Sequence, residues 1–452
     1  MKKHYMKKPL SLLLSLMLAF APVTACANVV TPEEYKSIEQ ASDMLEEIMR
    51  LVMEQYIGDD VTPEQLRDAA LRGIAGMLDE YTEYLPPVEY QGLLNSMSTT
   101  AKLTGIRMTK LTGEDYVRVT AVFEDSPAKE AGVRVGDFIV TANGKDTKGL
   151  STEEVKKLLA TDEKDVVTMT VLRGSARHSF RITPRAVRIP NVLSLRLTDA
   201  GIEKPSKTAG YITIDSVGDK CAAEFEAAIA QLQKDGVKRL ILDLRGNPGG
   251  YLEQACELCK LIVPEGPIIY TYDTENGKQP IYSGLKKTPF ERIVVLVNGS
   301  TASAAEIITS ALQDSGAAVI VGSRTYGKGV IQGLFTYPPT GGTFKMTTQE
   351  YFRRSGEPLN RIGVTPDVVV DYIQITEEPD KTDEARAEYD AKLAIALTQL
   401  GMANVKAFQK SVSLPQTGIV DAKTAEAVNT ALGELYKTVD IALQAGYAAL
   451  MK

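Results

Sequence analysis

The spacing of apolar and polar positions changes several times along the chain, and each change predicts a different element type. LSLLLSLMLAFA (10 to 21) is an unbroken apolar run, too short for a comfortable membrane span. From 31 to 96 the segments read as helices. TPEEYKSIEQASDMLEEIMRLVMEQY opens with Thr31, Pro32, Glu33 and Glu34, an N-cap, a proline at the first helical position and acids in the first turn. Thr62 and Pro63 repeat that start in TPEQLRDAALRGIAGMLD, and EYLPPVEYQGL is a proline-marked break before a third, short helix. From about 97 the pattern becomes that of short strands and turns: DYVRVTAVF alternates, STEEVKKLLA is a capped short helix, and DVVTMTVLR and HSFRITPRAV close as strands. Residues 187 to 376 alternate apolar strands (AGYITID, KRLILDL, ERIVVLV, AAVIVGS) with helices (CAAEFEAAIAQLQKDG, TASAAEIITSALQDSG). That order implies a parallel α/β layer with sites at the strand carboxyl ends. TEEPDKTDEARAEYD is a charged linker, and the pattern ends in a further helix up to Lys452.

Composition adds a location and removes several chemistries. A chain of 452 residues has room for about three domains. Its 51 lysines and arginines against 58 acids leave a net charge of −7, which offers no general attraction to nucleic acid. The first 27 residues hold four lysines and no acid, and with the apolar run they read as an export leader. ACA (25 to 27) would release the protein, VTAC (23 to 26) resembles a lipobox that would lipidate Cys26, and an uncleaved anchor is the third ending. All three predict an exported, extracytoplasmic body: secreted, wall-associated or membrane-anchored. Cys221, Cys256 and Cys259 are too few for a disulfide framework. Cys256 and Cys259, spaced C-x-x-C inside a helical pattern with no histidine nearby, read as buried hydrophobes, not as a metal site.

Histidine usage decides more. His4 lies in the leader and His178 in a hairpin-like turn, so Ser-His-Asp, Cys-His and histidine-zinc catalysis are nearly closed off. VGSRTYGKGVIQG (321 to 333) begins like a phosphate-binding loop, with Gly322, Gly327 and Lys328. That reading fails on three counts: Gly329 stands where a magnesium-binding hydroxyl belongs, a strand pattern comes next where a helix is needed, and export removes cellular ATP. Upstream, LVNGSTASAAEIITSAL sets hydroxyls where a buried strand turns into a helix. A serine there has backbone N–H groups and the helix dipole beside it, and it needs a base. With histidine missing, lysine is the natural candidate, provided burial strips its proton; no acid occurs between Gly322 and Pro339. Ser300 and Ser310 compete with Ser303 by composition alone.

Three segments carry resemblances to known families. SPAKEAGVRVGDFIVTANGKDT (126 to 147), with Gly132, Gly136 and Asp137, looks like a PDZ domain in the circularly arranged bacterial form. Such domains bind free peptide C-termini by strand addition, and the matching carboxylate loop would be LTGIRM, around Gly105 and Ile106. VKAFQKSVSLPQTGIVDAKTAEAVNTAL (405 to 432) resembles the three-helix peptidoglycan-binding domain through Phe408-Gln409, Leu414, Thr417-Gly418, Asp421 and Thr424, with Ser413 where a glycine is expected. TASAAEI, then YGKG with its lysine 25 residues after Ser303, and Gln332 four further on, resemble the carboxyl-terminal processing peptidases, also called tail-specific proteases. Thr301 and Ala305 stand where that family often has serine.

The resemblance implies catalysis by Ser303, Lys328 and Gln332, and an oxyanion hole from Gly249 or Gly250 of RGNPGG together with Ala304. No metal or organic cofactor is called for. Asp243, at the strand end, is expected to brace that loop. In an extended strand Lys328 and Gln332 would be roughly 13 Å apart, so a kink at Gly327 and Gly329 is predicted. The expected fold is multidomain α/β: leader 1–27, N-terminal helical region 28–96, PDZ domain 97–186, a layered protease core of the ClpP/crotonase kind at 187–376, linker and peptidoglycan-binding-like module 377–437, and helical tail 438–452. The expected activity is an extracytoplasmic serine endopeptidase acting on proteins or peptides with free C-termini. Peptidoglycan contact and a homodimer through the N-terminal helices are further expectations. An inactive PDZ and wall-binding scaffold is the alternative, and a small-molecule hydrolase or isomerase the second.

Overall fold

The computed structural model describes residues 30–97, 100–110, 114–159, 166–198, 200–370, 373–378 and 383–452. The leader and Cys26 lie outside the described residues. Among the described residues no helix is long and apolar enough to cross a membrane.

Thr31 and Thr62 cap helices Pro32–Gln55 and Pro63–Ala75, each in a reciprocal box with the residue three along, Glu34 and Gln65. The all-helical reading of this region is corrected at Glu83–Leu85, a strand that pairs antiparallel with Thr343–Lys345 of the core. Three residues carry no periodic signal, and the strand forms because its partner lies far downstream. Helix Pro87–Met97 comes next.

The PDZ segment forms a sheet in the order Ile106–Thr109, Val117–Val122, Phe138–Ala142, Val167–Arg173, Ala176–Ile182, with Lys145–Asp146 paired to Phe138–Ala142. Val117, Val119, Ile139, Val155, Val167, Met169 and Val171 fill its core. Gly132 caps helix Pro127–Ala131 at φ 91°, and Gly136 turns at φ 90° into the strand, left-handed positions that favour glycine. Asp137 is fully buried and accepts two bonds of 2.7 Å from the Arg173 guanidinium. His178 sits exposed on the outer strand of this sheet.

The core sheet runs Val192–Leu195, Ala209–Ile214, Arg239–Asp243, Arg292–Val297, Ala318–Gly322, Val368–Val369, antiparallel at the first pair and parallel thereafter. Its strands are apolar on both faces, as a sheet covered on both sides must be. Ile293, Val295 and Val297 pack with Leu240, Leu242 and Ile320 under helices Cys221–Lys234, Leu252–Ile262 and Ala304–Asp314. Cys221, Cys256 and Cys259 are buried free thiols in that layer, and burial pushes Cys256 up to about 12. Ile241, Val294, Leu296 and Val321 face the other way, where Leu443 and Leu450 of the last helix, Ile441–Met451, cover them. The tail is therefore a structural layer of the core, docked where Gly446 lets Leu296 approach: a Cβ there would lie 2.6 Å from Leu296 Cδ2. Between core and tail, helices Asp383–Gln399, Val405–Ser411 and Ala422–Thr438 have their own core of Tyr389, Leu397, Phe408, Val428 and Leu432.

A second sheet, Glu83–Leu85, Gly342–Phe352, Gly266–Asp273, Gly277–Ser283, with Val330–Tyr337 paired to Gly342–Phe352, completes the core.

Candidate active site

After strand Arg292–Val297 the chain is held on both sides before it enters helix Ala304–Asp314. Thr301 Oγ1, fully buried, donates to the Leu244 carbonyl at 2.8 Å, and Ala302 N–H donates to the Asn247 carbonyl at 2.9 Å. Ser303, the N-cap, is held at φ 55°, ψ −120°, a backbone region costing a non-glycine residue about 1–3 kcal/mol. Its N–H donates to Glu306 Oε2 at 2.8 Å, its carbonyl accepts from the Tyr351 hydroxyl at 3.1 Å, and its Oγ makes no hydrogen bond among the described residues. Ser300 lies exposed in the preceding turn, while Ser310 is fully buried and bonded to the Ile307 carbonyl. Of the three serines, only Ser303 combines the helix start with an uncommitted hydroxyl.

Lys328 arrives from the far side. It leads into strand Val330–Tyr337, not into a phosphate-binding helix. Its glycine neighbours are demanded by packing: a Cβ on Gly329 would lie 2.4 Å from Asn360 N, and one on Gly327, at φ 91°, 3.0 Å from Gly363 N. Lys328 Nζ donates to Gln332 Oε1 at 2.7 Å. The chain turns at Gly327, where φ is 91°, as the predicted kink requires, and past it the pairing register shifts between Ile331 and Gln332, with Thr348 of the partner strand as the extra residue. The Tyr81 ring centroid stands 5.0 Å from the amine. Burial, helped by the nearby Lys345 ammonium, lowers the Lys328 pKa; Asp79 and Glu83 oppose the shift. These two acids come from the N-terminal region, outside the acid-free window around Lys328. No hydrogen bond joins Lys328 Nζ to Ser303 Oγ among the described residues.

Glu306 is the hub that motif reading passed over. Fully buried, it accepts from Ser303 N–H and Lys328 N–H on Oε2, and from Gly327 N–H and the Thr325 hydroxyl on Oε1. Burial raises its pKa and these four donors work against the rise. Tyr351, also buried, sets its hydroxyl against the carbonyls of both Ser303 and Lys328. The signal was present in the sequence as an acid three residues after the N-cap serine, the form of a capping box.

RGNPGG runs alongside. Gly249 N–H is committed to Asn247 Oδ1 at 2.8 Å, which corrects its candidacy as an oxyanion donor. Gly249 serves by close approach instead: a Cβ there would lie 2.8 Å from Ser303 Cβ and 2.9 Å from Ala304 N. Gly250 N–H and Ala304 N–H have no acceptor among the described residues. Asp243 braces this loop, accepting from the Tyr211 hydroxyl at 2.6 Å and from the Arg245 guanidinium and N–H. The other Arg245 face is held by Asp440 at 2.8 and 2.9 Å.

In the PDZ segment Gly105 is at φ 87°, its carbonyl accepts from Phe123 N–H, and Ile106 begins the adjoining strand. Arg107, next along, forms an ion pair with Asp215 of the core. Among the described residues no cluster of histidine, cysteine and acids could hold a metal ion.

An uncommitted serine hydroxyl beside free backbone donors, and a half-buried lysine amine with a lowered pKa, are the ingredients of acyl transfer. Comparison with known proteins gives the family. Residues 208–370 match the model of peptidase family S41, and residues 118–173 match a PDZ domain. A carboxyl-terminal-processing protease of Picosynechococcus sp. (strain ATCC 27264 / PCC 7002 / PR-6) is 31% identical over 381 residues, spanning 80% of this chain and 88% of that one. A protein of Staphylococcus aureus (strain bovine RF122 / ET3-1) named "Probable CtpA-like serine protease" is 28% identical over 443 residues, spanning 92% and 87%. Among solved structures, a photosystem II D1 C-terminal processing protease is 28% identical with a TM-score of 0.43, covering 73% of this chain and 92% of that one. One from Bacteroides fragilis NCTC 9343, assigned to the S41 proteases, shares the fold at 16% identity and a TM-score of 0.50, covering 78% and 96%. The chain belongs to peptidase family S41, the carboxyl-terminal-processing serine proteases, and carries a PDZ domain.

Proposed function

We propose that this peptidase works through Ser303 as nucleophile and Lys328 as general base, with Gln332 orienting the lysine. Ser303 Oγ attacks the scissile carbonyl carbon while its proton passes to the neutral Lys328 amine. The oxyanion is held by the N–H groups of Gly250 and Ala304. As the C–N bond breaks, the Lys328 ammonium returns the proton to the leaving amine, and an acyl-ester remains on Ser303. Water, deprotonated by the same lysine, then attacks the acyl carbon; as the ester C–O bond breaks, the Lys328 ammonium returns the proton to Ser303 Oγ and the acid is released. The Ser303 to Lys328 hydrogen bond belongs to the substrate-loaded state, since catalytic hydrogen bonds often tighten only there.

The observation that carries this reading is the Lys328 amine, half-buried, bonded to Gln332 and lowered in pKa by burial. Digestion of casein by wild type, Ser303→Ala and Lys328→Ala tests it. Wild type cleaves and both variants are inactive; activity in Lys328→Ala overturns the base, and an inactive wild type favours the scaffold alternative.

The PDZ domain captures the substrate's free C-terminal end at Gly105 and Ile106. Peptides with a free carboxylate should bind and their amidated forms should not, read by fluorescence anisotropy. The export pattern at 1–27 supports an extracytoplasmic location, and the helical module at 405–432 a contact with peptidoglycan. Sedimentation with insoluble cell wall tests that contact. Exposed Ile38, Leu45, Ile48 and Leu51 on helix Pro32–Gln55 support a homodimer, tested by light scattering.

A further inference from the structure

Behind Gln332 the hydrogen bonds continue away from the lysine. Gln332 Nε2 donates to Thr347 Oγ1 at 3.1 Å, and Thr347 Oγ1 donates to Asp79 Oδ1 at 3.3 Å. Asp79 lies in the turn after helix Pro63–Ala75, outside the residues matched to the S41 family model. It also accepts Tyr81 N–H at 2.8 Å, Thr82 N–H at 3.0 Å and the Thr82 hydroxyl at 3.0 Å, which fixes the turn whose Tyr81 ring stands over the Lys328 amine. Burial opposes ionisation of Asp79, yet these bonds outweigh it and hold the carboxyl below its usual range.

The direction of each bond matters. A carboxylate only accepts, so the Thr347 hydroxyl must donate to Asp79, and its lone pairs then face Gln332. The Gln332 amide is thereby turned with nitrogen toward Thr347 and oxygen toward the lysine. Were the amide reversed, its NH₂ would donate into the lone pair of a neutral Lys328, the electron pair a base needs. Resting on Lys328 as base, we propose that Asp79 and Thr347 are positioning residues that hold the Gln332 amide oxygen toward Lys328, so that the N-terminal region completes the active site.

The test uses the full chain and steady-state cleavage of a peptide substrate, with Lys328→Ala assayed in parallel and thermal melting to confirm folding. Thr347→Val should lower kcat at least tenfold with KM within twofold, and Thr347→Ser, which keeps the hydroxyl, should retain most of kcat. Asp79→Asn should lower kcat and also move the acid limb of the pH profile downward. The charges facing Lys328 are Asp79, Glu83 on the adjoining strand and Lys345 on strand Gly342–Phe352, beside the Tyr81 ring; losing one acid makes the lysine easier to deprotonate. Wild-type kcat in Thr347→Val, a Thr347→Ser as impaired as Thr347→Val, or an unmoved acid limb in Asp79→Asn overturns the inference. An inactive Lys328→Ala beside a fully active Thr347→Val defeats this inference alone, whereas an active Lys328→Ala defeats the base and this inference together.

Discussion

Ser303 and Lys328, 25 residues apart in the chain, donate their backbone N–H groups to the same oxygen, Glu306 Oε2, at 2.8 and 2.9 Å. Their separation is thus set by main-chain bonds to one buried carboxylate, with no direct bond between the two side chains. Glu306→Gln puts an NH₂ where one of two oxygens accepts, so the two donors bonded to that oxygen lose their partner. Bonds to a charged group are worth about 1.5–3 kcal/mol each. Urea denaturation should show a loss of that size, and kcat/KM should fall at least tenfold.

The same carboxylate gives a pH dependence of definite sign. Its pKa is raised in the fold, so between the ordinary glutamate value and the raised one the folded state binds more proton than the unfolded state. Stability is then lost as pH rises through that window. Unfolding free energies across mildly acidic pH should show this fall in wild type and lack it in Glu306→Gln.

Lys345 lowers the Lys328 pKa and Glu83 raises it, and the two form an ion pair with each other. Lys345→Met should move the acid limb of kcat/KM to higher pH, because more base is needed to free the amine. Glu83→Gln should move it to lower pH, and the double variant should lie between them. A pH–rate series on the three variants checks the order.

Gly249→Ala asks a side chain to occupy φ 98° within 2.8 Å of the Ala302 carbonyl oxygen and Ser303 Cβ. Strain of about 1–3 kcal/mol from the backbone and a further 1–3 kcal/mol or so from overpacking should appear on denaturation. Ser303 should also lose labelling by a fluorophosphonate probe.

Ser413 occupies φ 60° just past helix Val405–Ser411, with Leu414 N–H closing onto the Gln409 carbonyl at 2.8 Å. A left-handed non-glycine residue costs about 1–2 kcal/mol. Ser413→Gly should therefore stabilise the helical module by roughly 1 kcal/mol, read as a higher melting temperature.

Arg245 is clamped between Asp243 at the strand end and Asp440 at the start of the last helix. Asp440→Asn should cost about 1–3 kcal/mol through a weakened charged bond. Deleting residues 439–452 should do far more, because Ile241, Val294, Leu296 and Val321 would lose their apolar cover. Apolar dye binding and insolubility of the truncated chain would show it.

What the sequence determined by itself was local or chemical. Threonine-proline starts, alternating strands and left-handed glycines report on bonds made within a few residues, so the helices, the PDZ turns and the order of strand and helix in the core were legible from pattern. Near-absence of histidine and the spacing of Ser303, Lys328 and Gln332 pointed to lysine chemistry by elimination and by resemblance. Tertiary structure alone decided everything contributed across long separations. Strand Glu83–Leu85 exists through Thr343–Lys345, and the second face of the core sheet is closed by Ile441–Met451. The lysine's main chain is held by Glu306 and its amine lies between Gln332 and the Tyr81 ring, from elements with no common periodicity. Hydrogen bonds and desolvation act over a few ångströms of space, so a window of sequence registers them only when chain neighbours are also neighbours in the fold.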